Sequence, residues 1–274
     1  MSEMLTRSLS GAAYVAVILL CCFTGFNSQL LLAAFVGSIA LVEWSKFVPN
    51  TPRAILLFLP LAFLSLLVAL SGEVLFSNPA ILPIMLFACL MILMGLFVAH
   101  TLKLNQQPTT LFHYLTGVLY IALPMALLPL FPWHLGEPTP WLLAALFILI
   151  WCSDTFAYLV GSAIGKRKLA PKVSPNKSWE GFFGGLVAAL IASYLFFYFL
   201  GILPLWGWLG FALIAVIFGT LGDLFESSVK RQFNLKDSGN FMPGHGGLLD
   251  RIDSILFALP PAYFYIRIIE NYFT

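Results

Sequence analysis

The chain has 274 residues, of which 60% are hydrophobic and only 9% are charged, and its net charge is +2. Its mean hydropathy is +0.94, and long apolar runs alternate with short polar breaks, which is the pattern of a helical membrane protein. So small a net charge, without a basic tail, argues against a nucleic-acid-binding protein. The four cysteines lie inside apolar runs at spacings that match neither a metal site nor a disulfide framework.

Nine apolar segments are each close to the roughly 20 residues that cross a bilayer as a helix. In chain order they lie at about 9–26, 29–47, 54–71, 80–100, 109–131, 140–161, 181–201, 206–224 and 252–269. The sequence therefore predicts an all-α fold, a polytopic helical membrane protein with about nine transmembrane helices. We expect a single integral membrane domain over 1–274, with N-terminal helices over about 1–135 and the chemically active helices and loops over about 140–274.

The basic residues predict the orientation, because cytoplasmic loops of membrane proteins are enriched in Lys and Arg. In the nine-helix arrangement, 13 of the 14 Lys and Arg residues fall on one side and only Arg267 falls on the other. We therefore expect the N-terminus and the charged loops to face the cytoplasm and the C-terminus to lie outside. Glu43, at the end of the second segment, is expected to be a helix-end residue at the membrane interface.

A polar stretch at 230–253 separates the last two segments, and its flanking acids have helical spacing. Asp223 and Glu226 are i and i+3 at the end of one segment, and Asp250 and Asp253 are i and i+3 at the start of the next, so each pair shares a helix face. Two carboxylate pairs that flank one loop can form an oxygen-rich site for a hard divalent cation. The sequence therefore predicts Mg²⁺ as the cofactor.

The same loop contains groups suited to phosphate. Three glycines, Gly244, Gly246 and Gly247, let backbone N–H groups approach a phosphate closely. Four basic residues supply the opposite charge: Lys230, Arg231, Lys236 and Arg251.

A second polar cluster lies at 165–185. Ser178 begins a helix and Lys177 precedes it, which favours an anion because free N–H groups and the helix dipole meet there. The order of a Walker loop, GxxxxGK[ST], is absent. Asp154 lies inside an apolar segment, where an acid costs a few kcal/mol unless it is paired, hydrated or bound to a cation. We expect it in the cytoplasmic half of the membrane, close to the other acids.

These motifs resemble those of one enzyme family. They are S-x-V-K-R at 227–231, K-D-x-G at 236–239, P-x-H-G-G-L-x-D-R-I-D at 243–253, S-P-N-K-S-W-E-G at 174–181 and S-D-T at 153–155. Together they resemble the signature of the CDP-diacylglycerol synthases, also called phosphatidate cytidylyltransferases. The resemblance is strong over about 150–255, while the first five segments match only as hydrophobic helices.

The resemblance implies a reaction of CTP with phosphatidic acid that gives CDP-diacylglycerol and pyrophosphate in phospholipid synthesis. It implies catalytic roles for Asp154, Lys177, Asp223 and Asp250, and metal binding by Asp223, Asp250, Glu226 and Asp253. The implied substrate-binding residues are Ser178, Lys230, Arg231, Lys236, His245, Gly246, Gly247 and Arg251. It also suggests a homodimer in a bacterial inner membrane with a cytoplasmic active site.

Other interpretations remain at this stage. Asp223 and Asp250 would be interfacial acids paired with Lys230 or Arg251, Asp154 would make a structural hydrogen bond, and His245 would only pack or cap. A CTP-dependent kinase of the polyprenol or phytol type would transfer the γ-phosphate to an alcohol instead. Acids inside apolar segments also occur in ion-coupled transporters, although here they collect at one face and no inverted repeat is visible.

Overall fold

The computed structural model describes residues 3–48, 109–134, 137–242 and 246–270, together with Gly95 and Gly244. Helices dominate the described part. We number them α1 Glu3–Phe23, α2 Phe26–Ser45, α3 Thr110–Gly117, α4 Leu123–Leu127, α5 Pro140–Ile164, α6 Trp179–Leu200, α7 Leu205–Gln232 and α8 Leu249–Glu270. A π-helical turn, Val118–Ala122, joins α3 to α4, and a 3₁₀ turn, Leu128–Leu130, follows α4.

Two short antiparallel hairpins complete the described elements. Strands β1 Trp133–His134 and β2 Glu137–Pro138 precede α5, whereas β3 Lys168–Ala170 and β4 Ser174–Ser178 connect α5 to α6. The second hairpin leads directly into α6, because the Ser178 hydroxyl accepts the Gly181 N–H at 3.1 Å and caps the helix. At its other end α6 stops at Gly201, whose φ of +62° suits a residue without a Cβ.

Within the described ranges, six stretches of helix are long and apolar enough to cross a membrane, so the prediction of a helical membrane protein is supported. They correspond to the predicted segments that begin near residues 29, 109, 140, 181, 206 and 252. The apolar part of α1, Arg7–Phe23, is shorter than these six. The predicted segments 54–71 and 80–100 lie outside the described residues, apart from Gly95. The predicted count of about nine is therefore not confirmed.

The largest difference in bounds concerns α7, which continues eight residues beyond the predicted end at 224. The prediction stopped there because hydropathy falls at the polar residues that follow. In the structure these residues are paired inside the protein: Lys230 binds Glu226 one turn earlier and Asp250 on α8. Because its polar side chains have partners, the helix continues to Gln232.

Close helix contacts bring the polar residues together. Helix α5 packs along α6, and α7 packs along α8. A Cβ on Gly185 would lie 2.5 Å from the Ser153 carbonyl oxygen, and a Cβ on Gly222 would lie 2.5 Å from that of Asp253. Small residues at such crossings let two backbones approach. Gly222 thereby places its neighbour, Asp223, beside the first turns of α8.

Candidate active site

A cavity of about 1000 Å³ lies where α1, α5, β4, α6, α7 and α8 converge. Its charged lining comes from the polar clusters and motifs singled out in the sequence, which are separate along the chain. The lining includes Asp154, Lys168, Lys177, Ser178, Asp223, Asp250, Arg251 and Asp253. The structure therefore brings both polar clusters to one cavity.

Lys177 and Asp223 form an ion pair across this cavity. The Lys177 Nζ lies 2.6 Å from Asp223 Oδ2, and the two side chains are 26% and 31% exposed. Strand β4 presents the lysine and α7 presents the carboxylate, whose other oxygen accepts the Ser227 hydroxyl at 3.2 Å. The pair is held in place yet open to the cavity, so its ammonium group can contact an anion without leaving the carboxylate.

Lys230 forms a second and more buried pair. Its Nζ lies 3.0 Å from Glu226 Oε2 and 2.7 Å from Asp250 Oδ1, and its side chain is 9% exposed. One ammonium group thus binds two carboxyl groups, one on α7 and one on α8. Lys230 was predicted to bind substrate phosphate, but in the structure its ammonium group binds these acids and it lies behind the cavity lining. Its substrate-binding role stays a prediction.

Asp250 is held from several directions at the start of α8. Its carboxylate accepts the Ser238 N–H at 3.0 Å and the Gly247 N–H at 2.9 Å, besides the bond from Lys230. The alternative in which Asp250 pairs with Lys230 is therefore observed. It is compatible with a role in the site, because Asp250 also lines the cavity.

The remaining acids of the site are Asp154 and Asp253. Asp154 lies on α5 and lines the cavity, so α5 contributes an acid to the same space as α7 and α8. Asp253 is 8% exposed, and its Oδ1 accepts the Ser254 N–H at 2.6 Å. Asp253 and Asp223 both line the cavity, so α8 and α7 each contribute a carboxyl group to the same space.

The predicted metal ligands fit Mg²⁺ in part. Within the described part of the chain, no three His, Cys, Asp or Glu side chains are grouped closely enough to form a metal site as they stand. Lys230 occupies the space between Glu226 and Asp250, and its ammonium group binds both carboxylates. Asp223 and Asp253 line the cavity with carboxylate oxygens, which suit a hard cation. The donor chemistry therefore fits, with Asp223 and Asp253 better placed than Glu226.

The other predicted substrate-binding residues divide by position. Ser178 is 4% exposed and caps α6, and Arg251 lines the cavity with an exposed side chain. Arg231 donates to the Leu235 carbonyl at 2.7 Å, and Lys236 is exposed in the following loop; neither residue lines the cavity.

The loop residues at 245–247 were also predicted to bind substrate. Gly246 has a φ of +86°, and its carbonyl accepts the Met242 N–H. The N–H of Gly247 donates to Asp250 rather than pointing freely into the cavity. His245 lies outside the described residues. The substrate roles of these residues stay predictions.

Two residues near the site were not expected from the sequence. Tyr14 on α1 lines the cavity, and its hydroxyl donates to the Arg251 carbonyl at 2.9 Å. The sequence holds no signal for this contact, because one tyrosine in an apolar helix is ordinary. Glu43, expected at the membrane interface, is instead buried and bound to the loop before α8. The sequence did contain a signal for Glu43, namely an acid within an apolar segment, because a buried carboxylate needs hydrogen-bond or charge partners.

The similarity to a known protein family extends beyond these motifs to nearly the whole chain. The model of the cytidylyltransferase family matches residues 5–269. The chain belongs to this family. The match includes the N-terminal helices, where the motifs had given no information.

Individual relatives have a more specific name. A phosphatidate cytidylyltransferase of Staphylococcus aureus (strain COL) is 52% identical over 115 residues, which are 42% of this chain and 44% of that protein. One of Haemophilus influenzae is 48% identical over 134 residues, 47% of this chain and 46% of that protein. One of Bacillus subtilis (strain 168) is 48% identical over 122 residues, 44% and 45% respectively. Each match thus spans less than half the length of the relative.

Proposed function

We propose that this chain transfers the cytidylyl group of CTP to phosphatidic acid and releases CDP-diacylglycerol and pyrophosphate. The observation that carries the proposal is the Lys177–Asp223 pair in a cavity among membrane-length helices, in a chain of the cytidylyltransferase family. The relatives named phosphatidate cytidylyltransferase support the choice of substrates. They do not favour a lipid kinase or an ion-coupled transporter.

The cavity lining contains both basic and aromatic side chains, which suits a nucleotide and a lipid. Lys168, Lys177 and Arg251 provide positive charge for phosphate groups. Aromatic residues from α5 and α6 also line the cavity, namely Phe147, Trp151, Tyr158 and Phe182. In our proposal the phosphates of CTP bind the basic residues, and the lipid enters between helices so that its glycerol and acyl carbons contact the aromatic residues.

The chemical step requires positioning more than a strong base. A phosphate oxygen of phosphatidic acid forms a bond to the α-phosphorus of CTP, and the bond from that phosphorus to the bridging oxygen of pyrophosphate breaks. Because a phosphate monoester is already largely ionised near pH 7, no side chain has to remove a proton first. Lys177 would hold a phosphate oxygen while Asp223 fixes the direction of its ammonium group, which are contributions of orientation and charge.

We propose Mg²⁺ as the cofactor, with Asp223 and Asp253 as the best-placed ligands and Asp250 and Glu226 close to them. When bound, Mg²⁺ supplies positive charge that stabilises the α-phosphate and the leaving pyrophosphate. The proposal is supported by Asp223, Asp250 and Asp253, whose carboxyl groups line one cavity. Asp154 would add a further acid at the cavity wall.

We also propose that the protein lies in a bacterial inner membrane with its N-terminus and active site on the cytoplasmic side. The placement of 13 of 14 basic residues on one side of the predicted arrangement supports this orientation, and the relatives named above are bacterial. A homodimer stays a prediction from the family resemblance.

One assay separates the candidate functions. Purified protein in detergent is incubated with CTP, Mg²⁺ and phosphatidic acid, and then with diacylglycerol or a polyprenol in place of phosphatidic acid. We expect CDP-diacylglycerol and an equal amount of pyrophosphate only with phosphatidic acid. Formation of CDP and a phosphorylated alcohol would support a kinase instead. Ion-driven uptake into vesicles without any CTP turnover would support a transporter.

A further inference from the structure

Glu43 is a buried carboxylate near the end of α2, far from the motifs in sequence and in contact with them in space. It is only 4% exposed. Its Oε1 accepts the Leu248 N–H at 3.1 Å, and its Oε2 accepts the Leu249 N–H at 2.8 Å. Oε2 also accepts the Ser238 hydroxyl at 3.3 Å. One side chain of an N-terminal helix thus binds the loop between α7 and α8 at Ser238 and again at its junction with α8.

The beginning of α8 explains why a carboxylate is stable there. The first N–H groups of a helix have no partner within the helix, and they are usually capped by a nearby Ser, Thr, Asn or Asp. The residues just before α8 are Gly246, Gly247 and Leu248, whose side chains cannot accept a hydrogen bond. Glu43 supplies the missing acceptor from another helix, and the positive end of the α8 dipole favours its charge.

Two glycines of the loop leave room for this carboxylate. A Cβ on Gly239 would lie 2.5 Å from Glu43 Oε1, and a Cβ on Gly247 would lie 2.9 Å from Glu43 Oε2 and collide with the Ser238 hydroxyl. Neither glycine has a φ in the left-handed region, so a side chain is excluded by lack of space rather than by backbone conformation. These glycines therefore fit the loop around Glu43.

The same loop residues also hold Asp250. The N–H of Ser238 donates to the Asp250 carboxylate while its hydroxyl donates to Glu43. Gly247 donates its N–H to Asp250 and packs against Glu43. We propose that Glu43 is a positioning residue for cytidylyl transfer, which fixes this loop so that Asp250 keeps its place in the cavity. This inference rests on the function proposed above.

The test compares Glu43→Gln with Glu270→Gln. Glutamine keeps the size of Glu43 but offers one acceptor oxygen to donors that now use two, so at least one donor loses its partner. Glu270 is a matched control, because it is a buried acid at the opposite end of α8, paired with Arg267 at 2.6 Å. We expect Glu43→Gln to lower kcat about tenfold with little change in the KM for CTP, since a misplaced Asp250 affects the transition state most. Glu270→Gln should keep kcat within about twofold of the wild type.

A second measurement is independent of turnover. Hydrogen–deuterium exchange should become at least about tenfold faster in peptides that cover 238–250 of Glu43→Gln, without a change in α5. Gly239→Ala should cause the same local change from the loop side. Gly219→Ala is its control, because the added Cβ would only meet Ile150 and Ser254 at 3.6 and 3.7 Å.

The outcomes are distinct. A lower melting temperature with unchanged kcat per folded molecule would give Glu43 a purely structural role and overturn the inference, as would unchanged exchange at 238–250. If wild-type protein forms no CDP-diacylglycerol, the proposed function fails. The exchange data then still decide whether Glu43 holds the loop.

Discussion

Asp250→Asn is the most informative single substitution in the proposed site. The carboxylate binds Lys230 at 2.7 Å and accepts backbone N–H groups from Ser238 and Gly247 at 3.0 and 2.9 Å. Asparagine has nearly the same shape but only one oxygen, so its amide NH₂ must face either Lys230 or the two N–H groups. At least one buried donor therefore loses its acceptor.

The magnitude follows from these contacts. An unsatisfied buried donor costs about 1–3 kcal/mol, whereas removing one partner of a buried ion pair costs about 3–5 kcal/mol when the other charge is left alone. Lys230 keeps Glu226 at 3.0 Å, so we expect the lower range, about 1–3 kcal/mol of folding stability. Turnover should fall by at least about 10², comparable to the loss of one preorganised electrostatic group.

The assay measures CDP-diacylglycerol formation against Mg²⁺ concentration in detergent, with a thermal melt to establish the folded fraction. We expect the variant to be folded at the assay temperature, to turn over at least about 100-fold more slowly and to require more Mg²⁺. Glu137→Gln is the control, since it removes one negative charge from the exposed strand β2. A folded Asp250→Asn protein with near-normal turnover and unchanged Mg²⁺ dependence would refute the reasoning and leave Asp250 as a structural acid.

Three further predictions concern other parts of the molecule. Lys177→Ala should raise the KM for CTP or phosphatidic acid about tenfold, because the substitution removes a cavity-facing charge and the ion-pair partner of Asp223. Steady-state kinetics that show an unchanged KM for both substrates would exclude Lys177 from the site. A cysteine at exposed Asn240, in a cysteine-free background, should react with an impermeant reagent only from the cytoplasmic side. Labelling of intact cells from outside would contradict the orientation. Asn240 is a better position for the probe than Ser238, because Ser238 is buried and hydrogen-bonded. Gly222→Ala should lower the free energy of unfolding by about 1–3 kcal/mol, because the added Cβ would lie 2.5 Å from the Asp253 carbonyl oxygen. An unchanged melting temperature would show that α7 and α8 are not so closely packed.

The amino-acid sequence by itself determined the helical membrane class and most of the charged residues that line the cavity. Hydropathy is a local property, so α5, α6 and α8 begin within three residues of the predicted starts. Helical spacing is also local, and it indicated that Asp250 and Asp253 share a face of one helix. The sequence also indicates Lys177, Asp223 and Asp250 as site residues, because acids and bases are rare in this chain.

The tertiary structure alone decided how those charges are paired. The sequence predicted that Lys230 binds phosphate and left its pairing with an acid open. The packing of α7 on α8 places its ammonium group between Glu226 and Asp250, and the phosphate-binding role stays a prediction. The contact of Glu43 with Ser238 joins residues 195 positions apart. No local pattern contains such a contact, because it depends on which helices approach one another and on the glycines that let them. The partners of a buried charge are therefore set by packing, whereas its presence near a helix end is visible in the sequence.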